Sequence, residues 1–159
     1  MERTLVLIKP DALQRDLIGE IITRLERKGL KLIGIKMITL SEDLLDTHYT
    51  HLRERDFFPE VKAFMRSTPV IASCWEGVDC VDTVRLLCGI TTARQAQPGT
   101  IRGDLAMSVQ CNLVHASDTI ETAKIEVERF FATDELFSYE DNLEYFIYSS
   151  RETGRKENQ

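Results

Sequence analysis

Four apolar runs in the chain predict β-strands. Each is short, rich in Val, Ile and Leu, and bounded by turn residues or by a segment with helical periodicity. The first run ends at Lys9-Pro10-Asp11, which would place Lys9 at the strand tip because proline cannot continue a hydrogen-bonded ladder. The predicted strands cover residues 4–8, 30–40, 69–75 and 105–114.

Apolar positions at helical spacing predict helices between these strands. A helix from Ile18 is closed by Gly29, and a second is capped by Ser41 and includes His48 and Tyr49 among its core-facing positions. A short helix starting at Pro59 completes a helical hairpin. The remaining predicted helices cover residues 81–88 and 119–131, the latter capped by Asp118 with Glu121 completing a capping box.

The order of elements is β-α-β, a helical hairpin, then β-α-β-α. With the hairpin set aside as an insertion after strand 2, this is the split pattern of an α+β, ferredoxin-like βαββαβ sandwich. In that fold, two helices cover one face of a four-stranded antiparallel sheet. Residues 90–104 lack periodicity, and so long a connection in a small domain indicates a functional loop or one that contacts a neighbour.

The end of the chain differs in composition from the rest. We expect five aromatic residues near the C-terminus to pack back onto the body: Phe137, Tyr139, Tyr145, Phe146 and Tyr148. Residues 149–159 are polar and charged, which predicts a flexible tail. The domain prediction is therefore one domain over residues 1–148 followed by this tail.

Composition narrows the class of protein. With 159 residues, 43% hydrophobic and 29% charged, the chain should form one globular domain. No apolar run approaches the length of a membrane span, and the four cysteines form no C-x-x-C pair, so we expect a cytoplasmic protein with reduced thiols and no membrane partner. A net charge of −6 argues against a broad nucleic-acid surface, so any anion site must be local.

His115 is the leading candidate for chemistry. It stands at the end of the fourth predicted strand, just before a capped helix, and an uncharged imidazole can act as a nucleophile toward phosphorus. Taken alone, a histidine at a strand end is more often a packed or solvent-bonded residue. Cationic and hydroxyl side chains suited to anions stand at other strand tips and loops (Lys9, Arg85, Thr91, Arg102), and no P-loop or protein-kinase motif is present.

Six sequence blocks resemble the nucleoside diphosphate kinase family. The resemblance runs colinearly from about residue 3 to residue 148, and two of its blocks are specific: Pro98-Gly99-Thr100-Ile101-Arg102-Gly103-Asp104, and Asn112 to Asp118 with the pattern N-x-x-H-x-S-D. The others are Ile8-Lys9-Pro10-Asp11-Ala12, His48-Tyr49, Phe57-Phe58 and Trp75-Glu76-Gly77.

This resemblance implies the activity. The γ-phosphoryl group of a nucleoside triphosphate such as ATP would pass to a nucleoside diphosphate in a ping-pong reaction through phosphohistidine. His115 would be the nucleophile, with Glu126 holding its other ring nitrogen. Lys9, Tyr49, Arg85, Thr91 and Arg102 would surround the phosphates, Asn112 with Lys9 would bind the ribose, and Phe57 with Val109 would enclose the base.

The resemblance also implies cofactors and partners. Mg²⁺ would be carried mainly by the nucleotide phosphates, with Asp118 as a water-mediated contact. The expected partners are nucleoside triphosphates and diphosphates and further copies of the chain, with a hexamer favoured and a tetramer possible. No nucleic-acid partner is expected, and an RNA-binding module is disfavoured because the chain lacks the aromatic signature of such modules.

Several positions depart from the family pattern. Ala116 stands where glycine is usual, Gln110-Cys111 replaces Gly-Arg, Thr92-Ala93 replaces Asn-Pro, and Asp56 replaces proline. A positive φ at residue 116 would strain an alanine. The departures at positions 92, 93, 110, 111 and 116 support the alternative hypothesis, a catalytically weakened member that acts as a nucleotide-binding or regulatory partner.

Overall fold

A four-stranded antiparallel sheet forms the centre of the fold. The computed structural model describes residues 1–140 and 144–154, and its strands are β1 (Glu2–Ile8), β2 (Lys31–Ile38), β3 (Val70–Gly77) and β4 (Val114–Ala116). The helices are α1 (Pro10–Gln14), α2 (Ile18–Arg27), α3 (Glu42–His48), α4 (Phe58–Met65), α5 (Cys80–Cys88), α6 (Ile101–Leu105), α7 (Ile120–Phe130), α8 (Glu144–Ile147) and α9 (Ser150–Thr153).

The strand order is β2-β3-β1-β4, and every neighbouring pair is antiparallel. The predicted ferredoxin-like architecture, including the helical hairpin inserted between β2 and β3, is therefore confirmed. β1 lies between β3 and β4, and its last four residues are completely buried. This central position explains why its sequence is a continuous apolar run rather than an alternating one.

Successive residues of β1 point to opposite faces of the sheet, and each face has its own core. Val6 and Ile8 pack in one core with Ile21 of α2 and Val84 of α5. The second core contains Leu5 and Leu7 with Leu45 (α3), Phe58 and Met65 (α4) and Val127 (α7). The helical hairpin and α7 therefore cover the face opposite to α2 and α5.

The predicted fourth strand over residues 105–114 is wrong in its length. β4 has three residues, and α6 occupies part of the predicted loop. Met107 and Val109 are 71% and 54% exposed, so this apolar stretch is largely not core. The sheet pairing begins at Val114, directly after Leu113, whose φ of 73° is outside the extended region.

The predicted cap of the last long helix is also wrong. Thr119, not Asp118, precedes α7, and its Oγ1 accepts a hydrogen bond from the Thr122 amide at 3.1 Å. Glu121 lies in the first turn, where a negative charge is favoured by the helix dipole. Asp118 is exposed one residue before the cap.

The C-terminal aromatic residues mostly do not pack as predicted. Phe137, Tyr145 and Phe146 are 64% to 81% exposed, whereas Tyr139 is half-exposed and its hydroxyl donates to the Leu32 carbonyl of β2 at 2.6 Å. Tyr148 does reach the body, where its hydroxyl accepts a hydrogen bond from the Val78 amide at 3.3 Å. The predicted tail begins with α9, and residues 155–159 of that tail lie outside the described residues.

Helices within the described ranges are all too short or too polar to traverse a lipid bilayer.

Candidate active site

A cleft of about 570 Å³ opens where β1 ends and β4 begins. Nine of the eleven predicted site residues line it, although they come from widely separated parts of the chain: Lys9, Tyr49, Phe57, Arg85, Thr91, Arg102, Val109, Asn112 and His115. Glu126 lies behind this wall, and Asp118 does not belong to the lining. The end of β1, the helical hairpin, the segment from α5 to α6 and the residues around the start of β4 therefore converge on one site.

His115 is held in the wall of the cleft by the sheet. It pairs with Leu7 in the antiparallel β1–β4 ladder, so its backbone is fixed by a central strand whose last four residues are completely buried. Its side chain is 21% exposed, so the ring is accessible from the cleft. The ring is therefore not sealed in the core.

Glu126 of α7 fixes the orientation of the His115 ring. Nε2 lies 3.1 and 3.2 Å from the two carboxylate oxygens, and the Ser117 hydroxyl donates to the same carboxylate at 2.6 Å. Burial alone would raise the pKa of Glu126, but the hydrogen bond and charge of His115 outweigh it and lower that pKa to about 2. Because an ionised carboxylate only accepts, Nε2 must carry the proton, and Nδ1 keeps its lone pair for nucleophilic attack.

His48 completes this arrangement, although the sequence had assigned it only to the apolar face of a helix. Its ring packs edge-on against that of His115 with centroids 4.5 Å apart. Arg129 Nη1 lies 3.2 Å from His48 Nδ1. Burial and the neighbouring His115 lower the pKa of His48 to about 3, so it remains neutral and does not compete for Glu126. The contact of Ser117 with Glu126 is likewise not indicated by any local pattern, although Ser117 lies within the N-x-x-H-x-S-D block.

Lys9 and Asn112 are joined at the floor of the cleft. Lys9 Nζ donates to Asn112 Oδ1 at 2.8 Å and to the Gln110 carbonyl at 2.6 Å. The Asn112 amide nitrogen in turn donates to the carbonyls of Thr91 and Val109 at 3.1 and 2.8 Å. Asn112 therefore ties three loop segments together, and Lys9 keeps one of its three N–H donors for a ligand.

Arg102 is a buried clamp as well as a cation of the cleft. Its guanidinium donates to the carbonyls of Asn112, Gly89 and Val114 at 3.2, 2.7 and 2.6 Å. Gly89 ends α5 with φ 78°, and a side chain there would collide with Thr100, so the close approach of residue 89 to Thr100 requires glycine. The clamp connects α5, α6 and β4, and it leaves two guanidinium N–H groups for an anion.

The remaining lining residues form the mouth of the cleft. Phe57 and Val109 are 47% and 54% exposed there, as an apolar clamp for a flat ring would be. Arg85 projects from the exposed side of α5. His51, which the sequence analysis did not single out, also lines the cleft, and its ring centroid lies 6.3 Å from that of Tyr49.

Cations dominate the charge of the cleft. None of the described residues that line it is an Asp or Glu, whereas Lys9, Arg85 and Arg102 all do. The described His48, His115 and Glu126 form the one cluster with metal-ligand spacing, but they are already hydrogen-bonded to one another or to Arg129. A hard divalent cation prefers several oxygen ligands, so such an ion fits this site only as a companion of bound phosphates.

The substituted positions leave this geometry intact. Ala116 lies in β4 opposite Val6 and is not among the described non-glycine residues with positive φ, so its methyl group causes no strain. Gln110 contributes through its carbonyl, which any residue could supply. Cys111 is exposed, and Ala93 is buried in the loop after α5.

The chain is similar to proteins of known family. The family model described as "Nucleoside diphosphate kinase" matches residues 2–136. A nucleoside diphosphate kinase of Parabacteroides distasonis is 55% identical over 96% of this chain and 99% of that protein, and human nucleoside diphosphate kinase 3 is 47% identical over 92% and 87%. A solved structure of a Halobacterium salinarum nucleoside diphosphate kinase in complex with CDP superposes with a TM-score of 0.91 at 43% identity, covering 93% of this chain and 99% of that one.

Proposed function

The chain belongs to the nucleoside diphosphate kinase family and transfers a phosphoryl group from nucleoside triphosphates to nucleoside diphosphates, and from that premise we propose that His115 is the residue that carries the group. The observation that supports this most strongly is the His115 ring, accessible from a cationic cleft with Nε2 bonded to a buried carboxylate. The alternative of a catalytically weakened member is not favoured.

The proposed reaction has two half-reactions. His115 Nδ1 attacks the γ-phosphorus of the triphosphate, the bond from that phosphorus to the bridging oxygen breaks, and the diphosphate leaves with the electron pair. A terminal oxygen of the second nucleoside diphosphate then attacks the phosphorus, and the N–P electrons return to Nδ1. Glu126 stabilises the positive charge that develops on the ring during each attack.

Lys9, Arg85 and Arg102 would bind the phosphates, with the Thr91 and Tyr49 hydroxyls as neutral donors. A cation about 4 Å from one phosphate charge contributes roughly 4 kcal/mol at an effective dielectric near 20. Because phosphoryl transfer depends mainly on positioning and charge neutralisation, three such cations supply much of what the reaction needs. Asn112 with Lys9 would meet the ribose.

Phe57 and Val109 would hold the base by its faces. Stacking does not depend on the hydrogen-bonding edge of the base, so this contact supports a site that accepts purines and pyrimidines alike. Family members typically need a divalent metal. We assign that role here to Mg²⁺ bound to the nucleotide phosphates, where it would neutralise charge on the transferred group, with Asp118 at most a contact through water.

Assembly, location and domain bounds are further parts of the proposal. Ile35 and Met37 are 47% and 59% exposed on the edge strand β2, and exposed apolar side chains on an edge strand support association with another copy. We propose a homo-oligomer, with a hexamer favoured and a tetramer possible, which gel filtration with light scattering would measure. The four free cysteines support a cytoplasmic location. Residues 1–148 would form the catalytic domain, with 149–159 as an appended tail.

A phosphoenzyme chase tests the assignment of His115. The purified protein, incubated with a triphosphate labelled at the γ-phosphate, should gain label in an acid-labile, base-stable form, and any nucleoside diphosphate should remove it. His115→Ala should abolish both steps. Labelling that persists in His115→Ala would refute the assignment, and a chase by one base alone would refute the proposed base tolerance.

A further inference from the structure

Asp11 is hydrogen-bonded to the turn centred on Leu113, which lies between Asn112 and His115. Its Oδ2 accepts a hydrogen bond from the Leu113 amide at 3.0 Å, and the neighbouring Lys9 amide donates to the Leu113 carbonyl at 2.8 Å. Leu113 is fully buried with φ 73°, and the Val114 amide bonds to the Asn112 carbonyl at 2.9 Å across it. This is a γ-turn with a positive φ at its centre, which is strained for leucine.

The turn determines the position of two site residues. Asn112 stands directly before Leu113, and His115 follows two residues later at the β1–β4 ladder. A strained turn persists only when surrounding contacts hold it. The Asp11 carboxylate is the side chain that holds the Leu113 amide, so it keeps Asn112 and His115 in register with the end of β1.

The second oxygen of Asp11 has no such partner. Oδ1 is buried and makes no hydrogen bond with any described residue. A buried carboxylate oxygen without a hydrogen bond is costly unless a charge nearby compensates it. Lys9, two residues earlier, is the cation with which Asp11 interacts electrostatically.

Lys9 needs such a compensating charge. Burial lowers the pKa of Lys9 to about 8, while Asp11 acts in the opposite direction. Arg102 disfavours a charged Lys9, and Cys111 favours it. The other titratable groups that line the same cleft are Tyr49, His51, Arg85, Cys88 and His115. In this largely cationic site, Asp11 is the described carboxylate that keeps the ammonium charged.

We propose that Asp11 is a positioning residue with two separable roles: its Oδ2 anchors the strained turn at Leu113, and its negative charge keeps Lys9 in the ammonium form that receives the nucleotide. This inference rests on the proposed role of Lys9 in binding the substrate. It concerns the free enzyme most, because bound phosphates supply negative charge of their own to Lys9.

Two substitutions separate the roles. Asp11→Asn keeps an oxygen acceptor for the Leu113 amide and removes the charge, whereas Asp11→Glu keeps the charge and moves the acceptor by one methylene. Asp134→Asn is the matched control for net charge, because Asp134 is exposed in the 3-10 turn after α7 and outside the cleft. Urea unfolding of each variant shows that it is folded.

The pH dependence of kcat/KM for the triphosphate reports the free enzyme. Wild type and Asp134→Asn should lose kcat/KM as the pH rises through about 8, because Lys9 then loses its proton. In Asp11→Asn the alkaline limb of kcat/KM should move to lower pH, and the plateau of kcat/KM at lower pH should be retained. The alkaline limb of kcat should move less. In Asp11→Glu the limb should stay in place, and the plateau of kcat should fall because His115 is displaced.

Each half can fail independently. An Asp11→Asn profile that coincides with that of wild type overturns the charge role, and an Asp11→Glu plateau equal to that of wild type overturns the anchoring role. Failure of the phosphoenzyme chase in wild type would refute the proposed function instead, so the two failures are distinguishable.

Discussion

Replacing Arg102 with methionine should destabilise the protein severely, in addition to impairing phosphate binding. Methionine has a similar length but lacks the guanidinium that donates to the carbonyls of Asn112, Gly89 and Val114. Leaving a buried acceptor unpaired costs about 1–3 kcal/mol. The carbonyls of Gly89 and Val114 lose bonds of 2.7 and 2.6 Å, whereas the Asn112 carbonyl keeps its bond from the Val114 amide. Part of this loss is offset because a buried cation no longer has to be desolvated.

The net loss should therefore be about 3–5 kcal/mol in the free energy of unfolding. This is a large share of the roughly 5–15 kcal/mol that stabilises a typical domain. Urea unfolding followed by circular dichroism measures this loss of free energy. An unchanged m-value would show that the variant exposes the same surface on unfolding as wild type.

Arg85→Met is the matched control because Arg85 lies in the same cleft but is exposed on α5. It should change stability by less than about 0.5 kcal/mol while still raising KM, since a surface substitution rarely alters folding. If Arg102→Met unfolds at the same urea concentration as wild type, the clamp does not stabilise the fold. Equal destabilisation by Arg102→Met and Arg85→Met would also contradict the assignment of stability to the three bonds of Arg102.

Two further predictions concern Glu126 and Phe57. The pKa of Glu126 is lowered from 4.5 to about 2, so its contribution to stability is present above pH 4.5 and is lost as the pH falls toward 2. Glu126→Gln should lack this part of the pH dependence in urea unfolding, and a curve parallel to that of wild type would contradict the assigned bond to His115. Phe57→Ala should lower kcat/KM for nucleoside diphosphates of every base by a similar factor, roughly 5- to 10-fold, because a half-exposed ring contributes the lower part of the stacking energy. A loss confined to purines or to pyrimidines in steady-state assays would show that the pocket reads base edges.

The central strands, the long helices and their order were predictable because each has a local physical signature. The apolar run before Lys9 predicts β1, and Ser41 does cap α3, where its Oγ accepts from the Leu44 amide at 3.1 Å. Their order alone led to the ferredoxin-like sandwich. The family, and with it the activity, followed from short blocks of residues around Lys9, Arg102 and His115.

Local patterns failed where long-range contacts determine the backbone. Residues 105–113 have the composition of a strand, yet Leu113 leaves the extended region because Asp11 and Lys9, about a hundred residues earlier, bond to its backbone. Thr119 replaced Asp118 as the cap because both are good capping residues and only the geometry of the entering chain selects between them.

The amino-acid sequence by itself thus determined the fold class and the family, and nine of its eleven candidate site residues line the cleft. Only the tertiary structure decided how they are held: the neutral His48 beside His115, the triple clamp of Arg102, and the attachment of Asp11 to the strained turn. These features are contacts between segments far apart in the chain, and neither periodicity nor composition carries information about which distant groups will meet.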